Sequence, residues 1–239
     1  MAFGKKLVSQ VLASEPLQKT VAPALVKFKA KVHAASAPRP HPDELAKPVP
    51  AGPEWMHAIH HLPGMIDERQ VTTLFDLATA VTEGVIVEVG SWRGKSTSAL
   101  GRGSQRGHSV PVYAIEPHEP FTGIFGGNFG PKDRKAFYQS MLKTGCWDTV
   151  RLVNLSSEAV TPNWHKPVGL LFIDGDHTYE GVKRDFECWE PHLLPHARVA
   201  FDDAVQQDGG PFRLIGELVA SGRWRALQEF GKMAVLERT

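Results

Sequence analysis

Residues 170–179, Leu-Leu-Phe-Ile-Asp-Gly-Asp-His-Thr-Tyr, run an apolar stretch into carboxylates and one imidazole within a few positions. An uninterrupted apolar run such as Val168 to Ile173 is the pattern of a strand buried on both faces of a parallel sheet, and ligands gather where such strands end. Asp174, Asp176, His177 and Tyr179 therefore fall where chemistry is expected. A second acidic pair, Asp202 and Asp203, closes the apolar run Val199 to Phe201, so two strand ends could present carboxylates to one crevice. At about 4 Å and an effective dielectric near 20, each pair of like charges costs roughly 4 kcal/mol, which a bound cation would relieve. The competing reading is that these acids are turn residues and helix caps.

A third stretch supplies a glycine turn, Glu88-Val-Gly90-Ser-Trp-Arg-Gly94-Lys-Ser96. A nucleotide-hydrolase phosphate loop needs a glycine where Val89 stands, and a dinucleotide fingerprint needs one at Trp92. Both spacings fail. What remains is Glu-x-Gly-x-x-x-Gly after a first strand, with Glu116 ending a second. An acid there suits a ribose diol, and a tight glycine turn lets backbone approach a nucleoside. Gly90 and Gly94 alone would read as an ordinary strand-to-helix turn.

Periodicity gives the elements that must position these groups. Asp67 and Gln70 form a capping box opening a helix with Val71, Leu74, Phe75 and Ala78 on one face. Strands are expected at Val85–Val89, Val112–Ile115, Val150–Asn154, Val168–Ile173, Arg198–Phe201, Trp224–Glu229 and Lys232–Glu237. Helices are expected at Lys95–Arg106, Asp133–Lys143, Tyr179–Trp189 and Phe212–Ala220. Alternation implies a parallel sheet, and the last two strands, joined around Phe230-Gly231, are expected to be antiparallel. The expected fold class is α/β, a Rossmann-like seven-stranded, mostly parallel sheet with an antiparallel last strand and helices on both faces. Residues 117–131, rich in Gly, Pro and Phe, are too long for an ordinary connection and read as a functional loop, with His118, Phe121, Phe125 and Phe129 as candidates for a substrate lid.

Before this domain, residues 1–32 carry six lysines and one acid, with Val21, Leu25, Phe28 and Val32 at helical spacing. An amphipathic basic helical arm is the reading, docking on the body or on a second subunit, with an anionic membrane as the lesser alternative. Residues 33–54 form a Pro-rich linker and 55–239 the catalytic domain. A homodimer or higher oligomer through the arm is the expectation.

The 239 residues, 42% hydrophobic, suffice for one sizeable core. A net charge of +1, from 27 basic and 26 acidic residues, gives no electrostatic reason to expect nucleic acid, so a small molecule is the expected partner. Cys146 and Cys188 lack metal-type spacing and suit a reducing compartment. With no stretch approaching the roughly 20 apolar residues of a membrane span, the chain reads as soluble and cytoplasmic.

From about residue 67 to 239 the chain resembles class I S-adenosylmethionine-dependent methyltransferases, in Glu88-Val-Gly90-Ser-Trp-Arg-Gly94, in Ile115-Glu116 and in the strand pattern with a reversed last strand. Asp174-Gly-Asp-His177-x-Tyr179 with Phe201-Asp202-Asp203 is similar to the metal-dependent small-molecule O-methyltransferases, especially the macrocin O-methyltransferase-like, antibiotic- and sugar-tailoring group. The resemblance implies that Glu88, Gly90, Ser91 and Ser96 line the methionine end of S-adenosylmethionine, that Glu116 holds its ribose, and that Ser156 and Ser157 touch the adenine, with Gly94 and Asp174 also among the cofactor-binding residues. Leu155 stands where many relatives have an acid. It further implies Asp174, Asp202 and Asp203 as ligands of Mg²⁺ or another divalent cation and His177 as the base. Such a cation would acidify and orient a sugar or glycoside hydroxyl for attack on the methyl carbon, while His177 takes the proton. A catechol or phenol acceptor, a hydroxylase on the same fold, and a cofactor-binding regulatory or scaffold protein are the alternatives.

Overall fold

A computed structural model describes residues 54–124, 126–205, 209–230 and 232–239. The basic arm, nearly all of the linker and the subunit contact expected through the arm lie outside these residues.

The described residues open with α1 (Glu54–His60) and α2 (Glu68–Thr79). The capping box at the start of α2 forms: Gln70 N–H donates to the Asp67 side chain at 2.9 Å, and Asp67 N–H donates back to Gln70 Oε1 at 3.0 Å. The alternating units follow: β1 (Val85–Val89), α3 (Lys95–Arg106), β2 (Val112–Ile115), α4 (Asp133–Thr144), β5 (Val150–Val153), α5 (Ser157–Val160), β6 (Val168–Ile173), α6 (Tyr179–Trp189), β7 (Leu193–Phe201), α7 (Gly210–Ala220), β8 (Trp224–Phe230) and β9 (Met233–Arg238). Between β2 and α4 lies a short hairpin, β3 (Phe121–Thr122) and β4 (Asn128–Phe129).

Seven strands join in the order β5-β2-β1-β6-β7-β9-β8, with β9 antiparallel to both its neighbours and every other pairing parallel. Because side chains alternate across a strand, each face has its own core. Ile86, Val112, Leu170 and Phe172 meet Val71, Leu74, Leu100 and Phe137 from α2, α3 and α4. Val87, Val89, Leu171 and Ile173 meet Val182, Phe186 and Trp189 from α6 and Leu214 and Leu218 from α7. This is the α/β fold expected from the alternation of apolar runs.

Several details differ from the sequence expectation, the short helix α5 (Ser157–Val160) among them. Helix α1 was not anticipated; it is held by Trp55, which stacks on Phe75 at 4.1 Å, and by fully buried Ile59. The segment 117–131, expected as a loop, contains the β3–β4 hairpin. Strand β7 starts five residues ahead of the expected Arg198, because Leu193 pairs with Val168 before a register shift in β6. Among the described residues, no helix is long and apolar enough to cross a membrane.

Candidate active site

Sheet register aligns the polar groups. Val89 is level with Ile115 on one side and with Ile173 on the other, Ile115 with Val153, and Ile173 with Phe201. The next residue along each strand is Gly90, Glu116, Asn154, Asp174 or Asp202, so these five form one row across the carboxyl rim of the sheet, where ligands bind in open α/β sheets. A cavity of about 680 Å³ opens over this row, a size ordinary for a small-molecule site.

Of the residues expected to hold the cofactor, Gly90, Ser91, Ser96, Glu116, Ser156, Ser157 and Asp174 line the cavity; Glu88 and Gly94 do not. Glu88 is fully buried behind the wall and accepts from Thr97 Oγ1, tying β1 to α3, while its Oε1 has no partner. Burial pushes its carboxyl up to about 7, against the hydrogen bonds of Ser96 and Thr97. The glycines answer to packing. Gly90 has φ +86°, and a Cβ on it would lie 2.2 Å from the Asp174 carbonyl oxygen. At Gly94, φ is +83° and a Cβ would lie 2.9 Å from Met141 of α4. Both need the left-handed conformation that glycine adopts without strain.

Glu116 joins two loops: Oε2 accepts from Trp92 N–H at 3.0 Å and Oε1 from His118 N–H at 2.8 Å. Each oxygen retains a lone pair for a further donor. His118 is buried, with Nε2 2.8 Å from the Trp92 carbonyl and Nδ1 3.1 Å from Asn154 Nδ2, so it braces the turn rather than forming a lid. Ser156 caps α5, and Ser157 Oγ accepts from Trp189 Nε1 at 3.1 Å. Ser91 Oγ is buried at the cavity with no partner, a polar atom suited to a bound ligand.

The opposite end is built from ion pairs. The His177 ring lies between two carboxylates, Nε2 3.4 Å from Asp174 Oδ1 and Nδ1 3.2 Å from Asp203 Oδ2. Burial alone would lower its pKa, but Asp174 and Asp203 outweigh it and carry the imidazole up to about 10. Asp174 moves well above the usual carboxylate range, first by burial and then by the charge of Asp202. Asp203 is held down to about 2, chiefly by His177. Strand β7 ends at Phe201, and Asp203 has φ +48°, so both acids lie in a turn and can face the same partner instead of alternating.

That partner is Lys232, between β8 and β9, whose Nζ is 2.8 Å from Asp203 Oδ1 and 3.3 Å from Asp202 Oδ2. Gln70 Nε2 donates to Asp202 Oδ1. Three of the pair's four oxygens accept hydrogen bonds, Asp202 from Gln70 and Lys232 and Asp203 Oδ1 from Lys232, while Asp203 Oδ2 has the His177 ring as an ion-pair neighbour, Nδ1 itself lacking a hydrogen-bond partner. Among the described residues, no three acidic, imidazole or thiol side chains converge as a metal-ligand set. Asp174, Asp202 and Asp203 as they stand do not fit the divalent site expected of them. The physical reason is that two protein cations already lie against Asp202 and Asp203.

Asp176, expected to cap the following helix, instead accepts from Thr178 N–H and Oγ1, both at 3.0 Å, and Thr178 is the cap of α6. Tyr179 donates to Glu217 and lies under the Arg213 guanidinium, a packing role. Gln70 and Lys232 escaped sequence reasoning: Gln70 already had a capping role, and nothing near Lys232 marks it as part of a site.

Residues 87–204 match a family described as a methyltransferase domain. Among solved structures, the chain is similar to an O-methyltransferase from Bacillus cereus in complex with SAH (18% identity, TM-score 0.60, covering 81% of this chain and 94% of that one). It is also similar to the O-methyltransferase TomG from Streptomyces achromogenes, involved in tomaymycin synthesis and in complex with SAM (18%, 0.56, 88% and 96%). The SAH-bound methyltransferase PaMTH1 of Podospora anserina gives 16% and 0.57 over 77% of this chain and 86% of that one. At these identities the likeness is one of fold. A curated relative, the uncharacterized protein y4gI of Sinorhizobium fredii, is 41% identical over 54 residues, 23% of this chain, and the matched part spans 6% of that protein.

Proposed function

We propose that this chain, whose residues 87–204 match a family described as a methyltransferase domain, is an S-adenosylmethionine-dependent enzyme that methylates an oxygen of a small acceptor, a hydroxyl of a sugar or glycoside being the preferred class. The observation that carries the reading is the shared cavity: the glycine turn and Glu116 at one end, and His177 between Asp174 and Asp203 at the other. S-adenosylmethionine, when bound, supplies an electrophilic methyl carbon on a sulfonium. In this reading Ser91 and Ser96 lie toward its methionine end, Glu116 toward the ribose and Ser156 and Ser157 toward the adenine.

The acceptor oxygen forms the new bond to carbon, the sulfur–carbon pair returns to sulfur, and the hydroxyl proton must leave. His177, charged by its two neighbours, is not by itself free to take that proton. The Asp174–His177 pair is: the carboxyl of Asp174, raised by burial, is a better base than an exposed aspartate, and His177 holds it in place. No step is assigned to Mg²⁺, since the carboxylate oxygens of Asp202 and Asp203 are already engaged.

A second acceptor class has its own support. Met65, Phe121 and Ile124 line the cavity yet are 65%, 44% and 55% exposed, an apolar rim that suits a phenol or catechol. Titrating S-adenosylmethionine into the full chain by calorimetry is the first test, and absence of binding would sink the proposal. Labelled methyl transfer to sugars, glycosides and phenols then follows. Turnover confined to phenols would replace the sugar reading by the second one.

A further inference from the structure

The acid pair of this site already has its cation. We propose that Lys232 is the resident counter-ion of Asp202 and Asp203, occupying the place a divalent ion would take and holding Asp203 against His177. The proposal rests on the methyl-transfer reading only for what the site is used for; the ionic arrangement stands on geometry alone.

Three observations support it. Lys232 is fixed by its main chain as well as its side chain: its carbonyl accepts from Ala204 N–H at 2.8 Å, just past the acid pair, and β9 begins at the next residue with Ala234 paired to Phe201. The ammonium is therefore delivered by the antiparallel last strand to the end of β7. Second, its contacts are divided between the two acids, 2.8 Å to one and 3.3 Å to the other, the bridging position expected of an ion shared by both. Third, the remaining oxygens are not idle, because Gln70 donates to Asp202 Oδ1 and the His177 ring lies 3.2 Å from Asp203 Oδ2, an ion-pair contact without a hydrogen bond.

A divalent ion binds carboxylate oxygen at about 2.0–2.6 Å, whereas the ammonium bonds at ordinary hydrogen-bond distance. The two cannot occupy one position, and the ion would also meet the like charges of Lys232 and His177. Lys232 lines the cavity and acts through the two carboxylates it contacts. It is a positioning residue that sets the charge and direction of Asp203, and through it the orientation of His177. Lysine and arginine carry the same charge with different shape, so charge and mere bulk can be separated by substitution.

The test uses the full chain, stripped of metal, with Mn²⁺ uptake followed by the electron-spin signal of the free ion at neutral pH. Removing the ammonium in Lys232→Met should tighten Mn²⁺ binding by at least about tenfold over the unmodified chain, because two carboxylates lose their cation. Lys232→Arg should stay as weak as the unmodified chain. Adding Asp202→Asn to Lys232→Met should abolish the gained site. Equal Mn²⁺ affinity in the unmodified chain and Lys232→Met would overturn the proposal. So would tight binding by the unmodified chain that Asp202→Asn alone removes, a measurement that does not require Lys232→Met to fold. Calorimetry with S-adenosylmethionine on the same samples separates the two ideas: failure there counts against methyl transfer and leaves the lysine assignment to the Mn²⁺ result.

Discussion

At the β1–β2 end of the cavity, polar groups are satisfied mainly through the backbone: Glu116 accepts from two main-chain N–H groups, His118 contacts a main-chain carbonyl, and Gly90 is pressed against the Asp174 peptide. At the β6–β7 end they meet side chain to side chain, in the chain Asp174–His177–Asp203–Lys232–Asp202–Gln70, where Lys232 and Gln70 donate hydrogen bonds and His177 makes ion-pair contacts. A backbone-built end presents fixed shape, suited to a constant ligand such as a nucleoside cofactor. A side-chain-built end stores opposed charges and adjustable protons, suited to chemistry on an acceptor. The lesson is that one crevice can divide binding from reaction by the kind of polar contact used at each end.

The largest effect should come from removing the imidazole. His177→Ala is expected to lower turnover by about 10²–10⁴-fold, the usual range when a general base is disabled, because Asp174 loses the ion-pair partner that holds it, while leaving S-adenosylmethionine affinity within about threefold. Steady-state rates and calorimetry on the same variant check both halves. A parallel collapse of cofactor binding would erase the division between the ends.

Next is Gly90→Ala. A Cβ 2.2 Å from a carbonyl oxygen at φ +86° should cost about 3 kcal/mol or more in urea unfolding and weaken the cofactor end with it. Wild-type stability in this variant would mean that the turn is not as rigid as its contacts imply.

The third is Glu88→Gln, read as a pH dependence. A carboxyl raised from 4.5 in the unfolded chain to about 7 in the folded one favours folding below pH 4.5 and loses that contribution as pH rises toward 7. At pH 7 and above the substitution should therefore stabilise the fold, by up to about 3 kcal/mol for a shift of this size, with little change below pH 4.5. Melting curves across this window test it. A gain at low pH instead would reverse the sign and place the charge elsewhere.

Much of this arrangement was legible in the chain. Val85–Val89, Val168–Ile173 and Val199–Phe201 read as strands because uninterrupted apolar runs can be buried on both faces, and a parallel sheet then fixes Glu116, Asp174 and Asp202 at its ligand-binding rim. The turn Gly90–Gly94 was visible too, although the reason for its glycines was not: it lies in contacts with Asp174 and Met141, both distant in sequence. His177 was recognisable from its acids, but not its sharing between two of them. The hairpin inside 117–131 was hidden because two-residue strands carry no periodicity.

The sequence by itself determined the alternating α/β order, the row of acids at the strand ends and the glycine turn, since each is set by local pattern and by the two-residue period of a strand. Only the tertiary structure decided what neutralises those acids. Gln70 lies 132 positions from Asp202, and Lys232 lies 29 from Asp203. Ion pairing depends on distance in space, and here that distance was set by the docking of α2 and by the reversal of the last strand.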